Sequence, residues 1–120
     1  TYREVFGELG VADVAHVHVA SREDALLLDA AAPLDGATAV FITGGDQLRL
    51  TSQLGDTPVY ERIREIYLRG GLVAGTSAGA SVMCETMMVA GSGDASYRIG
   101  GNLQLAPGFG FFPGTIVDQH

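Results

Sequence analysis

Residues 71–80 read GLVAGTSAGA, a short apolar run followed by a serine with a glycine two positions before it and another two positions after it. Leu72, Val73 and Ala74 predict a buried strand, and Gly75–Gly79 fit the G-x-S-x-G pattern of a sharp strand-to-helix turn. Such a turn lifts the serine hydroxyl above the sheet, and glycine is needed where the two backbones approach closely. By itself the pattern fits a nucleophilic serine and a glycine-rich turn with a capping serine equally well.

The composition limits the kinds of protein to consider. A chain of 120 residues that is 47% hydrophobic suffices for one domain with a modest core. The net charge of −7 argues against nucleic acid or an anionic membrane as a partner and suits a cationic ligand. The single cysteine, Cys84, cannot form an internal disulfide, and no apolar stretch is long enough for a membrane helix. We expect a cytoplasmic protein, although the sequence leaves open a secreted form of the parent.

Apolar runs and helical stripes alternate along the first two thirds of the chain. The predicted strands are Val14–Val19, Ala39–Thr43, which we expect to be buried on both faces, and the run at Leu72. The first predicted helix runs from Tyr2 to Gly10, and a second begins at Ser21, buries Leu26, Leu27 and Leu28, and is ended by Pro33. A third helix is predicted over Leu48–Leu54. The fourth begins at Thr57-Pro58 and has an inward stripe of Val59, Ile63, Ile66 and Tyr67. This alternation predicts an α/β fold with a parallel sheet.

Beyond the serine turn the pattern is less regular. We expect the core face of the next helix to carry Val82, Met83, Met87 and Met88. A glycine-rich loop follows over Ser92–Asn102, then short strands or turns over Leu103–Pro113, and Thr115–Val117 predicts a strand. The first helix has no visible capping residue, and the last predicted strand is followed only by Asp118, Gln119 and His120. We therefore expect an internal piece of a longer domain.

Two histidines share one face of the first predicted strand. His16 and His18 have the spacing of a possible metal pair, but no carboxylate or cysteine lies close to them in sequence. Histidines packed under a helix or at a sheet edge are the preferred interpretation. The sequence predicts neither a metal nor a cofactor.

Three loops begin directly after apolar runs, and functional groups gather at the carboxyl ends of parallel strands. They are Gly44–Gln47, Gly75–Gly79 and Asp118–His120. A serine hydroxyl needs a base, and His120 is the one histidine at such a strand end, so it is the candidate base for Ser77. The backbone amide of Ala78 is one candidate oxyanion donor, and the amides of Gly45 and Asp46 offer a second.

The same loops contain candidate substrate-binding groups. Asp118 is the candidate partner of a cationic group such as a guanidinium, while Gln47 and Gln119 add two amides. The alternative role for Gln47 and Asp118 is helix capping or hydrogen bonding within a loop. The alternative for His120 is that it is an ordinary loop histidine with no catalytic role. The coincidence of three loops favours a functional site.

Three motifs, FITGGDQ at 41–47, GTSAGA at 75–80 and VDQH at 117–120, closely resemble in sequence and order those of the cyanophycinases, serine peptidases of the aspartyl dipeptidase family S51. The resemblance implies hydrolysis of cyanophycin, multi-L-arginyl-poly-L-aspartate, to β-Asp-Arg dipeptides. It also implies Ser77 as nucleophile, His120 as base, and a substrate pocket that includes Gln47, Asp118 and Gln119. The substrate would be an arginine-rich polymer or an isoaspartyl peptide, and the full-length protein a homodimer.

The expected architecture is a three-layer αβα fold, flavodoxin-like or class I glutamine amidotransferase-like, and incomplete at both ends. Residues 1–120 would form one partial peptidase domain that lacks the family's first strand and its C-terminal part. An arginine-bearing segment and the third acid of the triad lie past His120 in the cyanophycinases, so we expect the isolated piece to be inactive. Asp94 is a candidate acid by analogy with the dipeptidase branch.

Two alternatives stay open. The related α-aspartyl dipeptidases look similar at the serine turn but generally carry asparagine where this chain has Asp46-Gln47. A non-catalytic module that holds an anion at helix N-termini would also use the glycine loops at 44–45 and 75–79.

Overall fold

A computed structural model of the chain describes residues 1–90 and 103–119. The elements in these ranges are α1 (Tyr2–Glu8), α2 (Arg22–Leu26), a 3₁₀ helix (Ala32–Leu34), β1 (Ala39–Ile42), α3 (Gln47–Leu54), α4 (Pro58–Leu68), β2 (Leu72–Gly75), α5 (Ala78–Ser81), β3 (Thr86–Ala90) and β4 (Gln104–Pro107). None of these helices has the length and apolar character needed to cross a bilayer.

The parallel pair β1 and β2 carries the serine turn at its carboxyl end. Ala39 pairs with Leu72 and Ile42 with Gly75 in one continuous register. The connection between the strands runs through α3 and α4. This strand, helix, strand order confirms the predicted α/β class with a parallel sheet.

Helix α4 supplies most of the core that supports this pair. Its start is as predicted, because the side chain of Thr57 accepts the amide hydrogen of Tyr60 and Pro58 occupies the first helical position. The predicted inward stripe is buried at Val59, Ile63 and Ile66 but not at Tyr67, which is 41% exposed. Thr57 is itself only 1% exposed, so the cap is also part of the core.

Helices lie on both faces of the β1–β2 pair. Consecutive strand side chains point to opposite faces. Ile42 is buried in the core cluster that includes the α4 stripe, whereas the ring of Phe41 lies 5.2 Å from those of Tyr2 and Phe6 on α1. The order helix, sheet, helix agrees with the expected three layers. The prediction that Ala39–Thr43 is buried on both faces is wrong, because the side of β1 that faces α1 leaves Phe41 36% exposed.

The strands β3 and β4 form a separate antiparallel pair, which confirms a short strand within Leu103–Pro113. Their register shifts between Met88 and Ala90. After β4 the chain returns along α4, where the hydroxyls of Tyr60 and Tyr67 donate to the carbonyl oxygens of Phe109 and Phe111 at 3.0 and 3.1 Å. These two hydrogen bonds hold residues 109–111 against α4.

The prediction of a long helix after the serine turn is wrong. That prediction assigns a single helix to Val82, Met83, Met87 and Met88. Helix α5 ends at Ser81, and the carbonyl oxygen of Val82 accepts the amide hydrogen of Phe109 at 2.6 Å instead of continuing a helical ladder. The β-branched residues of β3 favour a strand there. Met87 is fully buried, as expected, but on β3.

Two predicted strands are not formed among the described residues. Val14–Val19 and Thr115–Val117 have no regular secondary structure in these ranges and pair with no other described strand. Composition predicts a tendency to extend, but a strand also needs a neighbour that completes its backbone hydrogen bonds. Val17 and Val19 nevertheless pack against the core cluster.

Two helix boundaries also differ from expectation. Helix α1 is capped after all, because the Thr1 hydroxyl accepts the amide hydrogen of Glu4. Helix α2 has the predicted Ser21 capping box but ends at Leu26, so the leucines at 26–28 are 49%, 57% and 93% exposed. The core positions are taken instead by Ala25, Ala31 and Leu34. Pro33 lies inside the 3₁₀ helix rather than ending α2.

Candidate active site

Ser77 stands on a strained turn between β2 and α5. Its φ of 55° and ψ of −125° lie in a region that a residue with a side chain rarely adopts. The residue is exposed, whereas Ala78, which follows it, is completely buried. The turn therefore projects one hydroxyl to the surface while its flanks stay packed, which is the geometry of a nucleophile elbow.

The two glycines of the motif are required by contacts on both sides of Ser77. A Cβ at Gly75 would lie 2.3 Å from the carbonyl oxygen of Gly79, and a Cβ at Gly79 would lie 2.0 Å from that of Ile42. Both obstacles are backbone atoms, which cannot move aside as a side chain can. The close approach predicted from the sequence is thus confirmed at both positions.

The Gly44–Asp46 loop lies beside the serine. The amide of Thr76 donates to the carbonyl oxygen of Ile42 at 3.1 Å, which extends the β1–β2 ladder up to the turn. A Cβ at Gly44 would lie 3.0 Å from Cβ and 3.3 Å from Oγ of Ser77. The paired glycines indicate this loop in the sequence, but only the structure shows that a side chain at Gly44 would press on the serine.

Backbone amides at this edge include the candidate oxyanion donors. Within residues 1–90 and 103–119, the amide hydrogens of Gly45, Asp46 and Ala78 have no acceptor. The side chain of Asp46 faces its own helix, where it caps α3 by accepting the amide hydrogen of Arg49 at 2.8 Å. The carboxylate of Asp46 thus has a structural role, and the backbone amides of the loop are candidate donors to an oxyanion.

The segment after the predicted strand Thr115–Val117 also reaches the serine, although that strand is not formed. The hydroxyl of Ser77 donates to Oε1 of Gln119 at 3.3 Å, across 42 positions of sequence. Asp118 is exposed, and its side chain or backbone interacts with another group of the protein. His120 and Asp94 lie outside the described residues, as does the loop Ser92–Asn102. The structure therefore brings Gln119 to Ser77 and leaves the candidate base and acid as predictions.

Gln47 is half-buried, and its side chain has a partner that sequence reasoning missed. Its Nε2 donates to the carbonyl oxygen of Met88 on β3 at 2.9 Å. No signal in the sequence indicates this contact, because Met88 is predicted there to be helical. Hydrogen bonding within the protein was one alternative for this residue, and the structure contains such a bond.

Two other features of the chain are a possible metal pair in the sequence and a cavity in the structure. The rings of His16 and His18 are 6.0 Å apart, and the described residues contain no group of three or more metal-ligating side chains. A cavity of about 200 Å³ has among its lining residues Thr51, Asp56, Tyr60 and Phe109, and no residue of the three strand-end loops.

The fold and the site define a class. A serine on a strained strand-to-helix turn, at the carboxyl end of a parallel strand pair and beside two further loops, is typical of α/β hydrolytic enzymes with a serine nucleophile. The sequence model of peptidase family S51 matches residues 1–120. The chain belongs to peptidase family S51.

Individual relatives agree with this assignment. The chain is 43% identical over 121 residues to a cyanophycinase of Trichormus variabilis and 39% identical to one of Synechococcus elongatus, in each case over 99% of its own length. It spans only 40% and 37% of the length of these relatives. A crystal structure of a peptidase from an acI-B1 actinobacterium superposes with a TM-score of 0.70 at 29% identity, covering 91% of this chain and 41% of that one.

Proposed function

We propose that the protein containing this chain is a serine exopeptidase that hydrolyses cyanophycin to β-Asp-Arg dipeptides. The observation that carries the proposal is the strained Ser77, with Gly44 against one side of it and Gln119 within hydrogen-bonding distance. Curated relatives of 39–43% identity are named cyanophycinases. The retained Asp46-Gln47 pair favours this branch over the α-aspartyl dipeptidases.

In the proposed mechanism, Ser77 Oγ attacks the carbonyl carbon of a backbone peptide bond and its proton passes to His120. The negative charge that develops on the carbonyl oxygen is stabilised by the amide of Ala78 together with those of Gly45 and Asp46. His120 then protonates the leaving amine, and the peptide bond breaks to leave an acyl-enzyme. Water, activated by the same histidine, attacks the ester and releases the product and Ser77.

Recognition of the substrate would use the charge of the loops. Asp118 is the proposed partner of the arginine guanidinium, since planar carboxylate and guanidinium groups bind through two parallel hydrogen bonds. Gln119 and Gln47 are the proposed amide contacts. The net charge of −7 would also attract a cationic polymer over a longer range. Asp94 is a proposed candidate for the acid that orients His120.

Three wider features belong to the same proposal. Residues 1–120 would form part of a single α/β peptidase domain, and the full-length protein would be a cytoplasmic homodimer without a metal or cofactor. Since the chain covers about two fifths of its relatives, the isolated piece should be inactive.

The test is the Ser77→Ala variant of the full-length protein, assayed for release of β-Asp-Arg from cyanophycin. Ser52→Ala is a matched control, because Ser52 is exposed on α3 and its hydroxyl donates to the carbonyl oxygen of Arg49 in the same helix. We expect Ser77→Ala to lower kcat by about 10³-fold or more and Ser52→Ala to leave it unchanged. Retained turnover in Ser77→Ala would overturn the assignment.

Substrate choice and labelling separate the alternatives. An α-aspartyl dipeptidase would cleave Asp-X dipeptides but not the polymer. An anion-binding module would bind inorganic phosphate, and Ser77 would not react with a fluorophosphonate probe.

A further inference from the structure

The side chain of Gln47 connects the oxyanion loop to the β3–β4 pair. Its Nε2 lies 2.9 Å from the carbonyl oxygen of Met88. A carbonyl oxygen only accepts hydrogen bonds, so the amino end of the amide must face it. The partners are 41 positions apart in sequence, and Gln47 is half-buried. This bond is therefore a tertiary link between two elements, beyond the local bonding of a loop.

The link is placed where it can set the position of the candidate donors. Gln47 is the first residue of α3 and directly follows Asp46, while Gly44 touches Ser77 on the other side of the loop. Glycines at 44 and 45 allow the loop backbone a wide conformational range, and Gly45 has a φ of 143°. In the described ranges, no other hydrogen bond joins residues 44–47 to β3.

We propose that Gln47 is a positioning residue, which holds the amides of Gly45 and Asp46 in register with Ser77 through its bond to Met88. This inference rests on the proposed function and changes the role expected for Gln47 from substrate contact to support of the oxyanion loop. Donors act on a developing oxyanion only when they are fixed before the reaction. An error of about 1 Å in such a site lowers the rate about 100-fold.

The chain contains a matched control on the same helix. Gln53 also donates its Nε2 to a backbone carbonyl oxygen at 2.9 Å, that of Ala20, but it lies near the other end of α3. Gln→Glu at either position keeps the shape and turns the donor into a carboxylate that faces a carbonyl oxygen. Gln→Met keeps approximate length without a donor or a charge and is the milder change for folding.

The experiment compares Gln47→Glu, Gln47→Met, Gln53→Glu and Gln53→Met in the full-length protein. Three quantities are measured: kcat and KM for cyanophycin, the rate at which a small neutral fluorophosphonate labels Ser77, and the melting temperature. The probe carries no arginine or aspartate group, so it reports the state of Ser77 and the oxyanion loop independently of polymer recognition. Labelling is measured about 20 °C below each melting temperature.

We expect both Gln47 variants to lower kcat and the labelling rate by the same factor, about 10-fold or more, with KM unchanged. The Gln53 variants should lower the melting temperature similarly but label at the wild-type rate. A raised KM with unchanged labelling would identify Gln47 as a substrate contact and overturn the proposal. Unchanged labelling with a lower melting temperature would overturn it in favour of a purely structural bond.

Failure of this inference is distinguishable from failure of the proposed function. If Ser77→Ala still hydrolyses cyanophycin, the assigned reaction is wrong whatever the Gln47 variants do. If Ser77→Ala is inactive but the Gln47 variants label at the wild-type rate, only the positioning role is wrong.

Discussion

A methyl group added at Gly44 should lower the reactivity of Ser77 with little effect on folding. The new Cβ would lie 3.0 Å from Cβ of Ser77 and 3.3 Å from its Oγ. Ordinary van der Waals contact of a Cβ begins at 3.4 Å, so Ser77 must give way by a few tenths of an ångström. Gly44 does not have a positive φ, so alanine brings no backbone strain of its own. Since a misplacement of about 1 Å costs about 100-fold, a shift of a few tenths of an ångström predicts a loss of about 3- to 10-fold in the labelling rate of Ser77.

The assay for Gly44→Ala is fluorophosphonate labelling of the full-length protein, together with a urea unfolding curve. Gly7→Ala in α1 is the control, since a Cβ there meets nothing within 4 Å and alanine in a helix is favoured over glycine by about 0.5–1 kcal/mol. We expect Gly7→Ala to label normally. Wild-type labelling in Gly44→Ala would refute the contact between this loop and the serine.

Three further predictions concern stability. Gly79→Ala places a Cβ 2.0 Å from the carbonyl oxygen of Ile42, so urea unfolding should show a loss of more than about 3 kcal/mol or no folded protein; a near-normal midpoint would contradict the packing of the turn. Thr57→Ala removes the buried cap of α4 and should cost about 1–2 kcal/mol in the same assay, whereas no loss would mean the cap is not needed. Burial raises the pKa of Tyr60, so the contribution of this residue to stability is complete below its unfolded pKa of about 10 and is lost as the pH rises through its folded pKa. Melting curves of Tyr60→Phe recorded at increasing pH should therefore show a smaller loss of stability at alkaline pH. An unchanged pH profile would exclude Tyr60 as the source of that loss.

The sequence predicts well those elements whose signals are local. The cap Thr57 and the proline after it mark the start of α4, and the apolar runs at β1 and β2 end where glycines begin. The relation between these elements also follows from general rules, because parallel strands need a crossover and their carboxyl ends then meet. The contact of Gly44 with Ser77 is a consequence of that geometry.

The failed predictions share a different cause, which is dependence on distant partners. The residues after Ser81 have a composition that suits a buried helix, but the amide of Phe109 binds the carbonyl oxygen of Val82 and a strand forms instead. Likewise the leucines at 26–28 satisfy a helical stripe, yet α2 ends at the first of them. Which apolar residues are buried depends on neighbours that the local pattern does not identify.

Dependence on a distant partner also explains why the sequence does not predict the hydrogen bond between Gln47 and Met88. The acceptor of Gln47 is the carbonyl oxygen of Met88, which is accessible because Met88 lies on β3 next to a register shift. In the helix expected from sequence, that oxygen would instead take part in the helical ladder. One wrong element assignment thus concealed the tertiary contact that bears most directly on the oxyanion loop.

The strain at Ser77 links reactivity to stability through particular glycines. A residue with a side chain in such a conformation costs about 1–3 kcal/mol and persists only where its surroundings fix it. The surroundings here are the close contacts of Gly75 and Gly79 and the bond from Thr76 to Ile42. Substitution of either glycine should therefore reduce folding and activity together. Gly44 touches the serine from a separate loop, so it is the position at which a single methyl group separates the two effects.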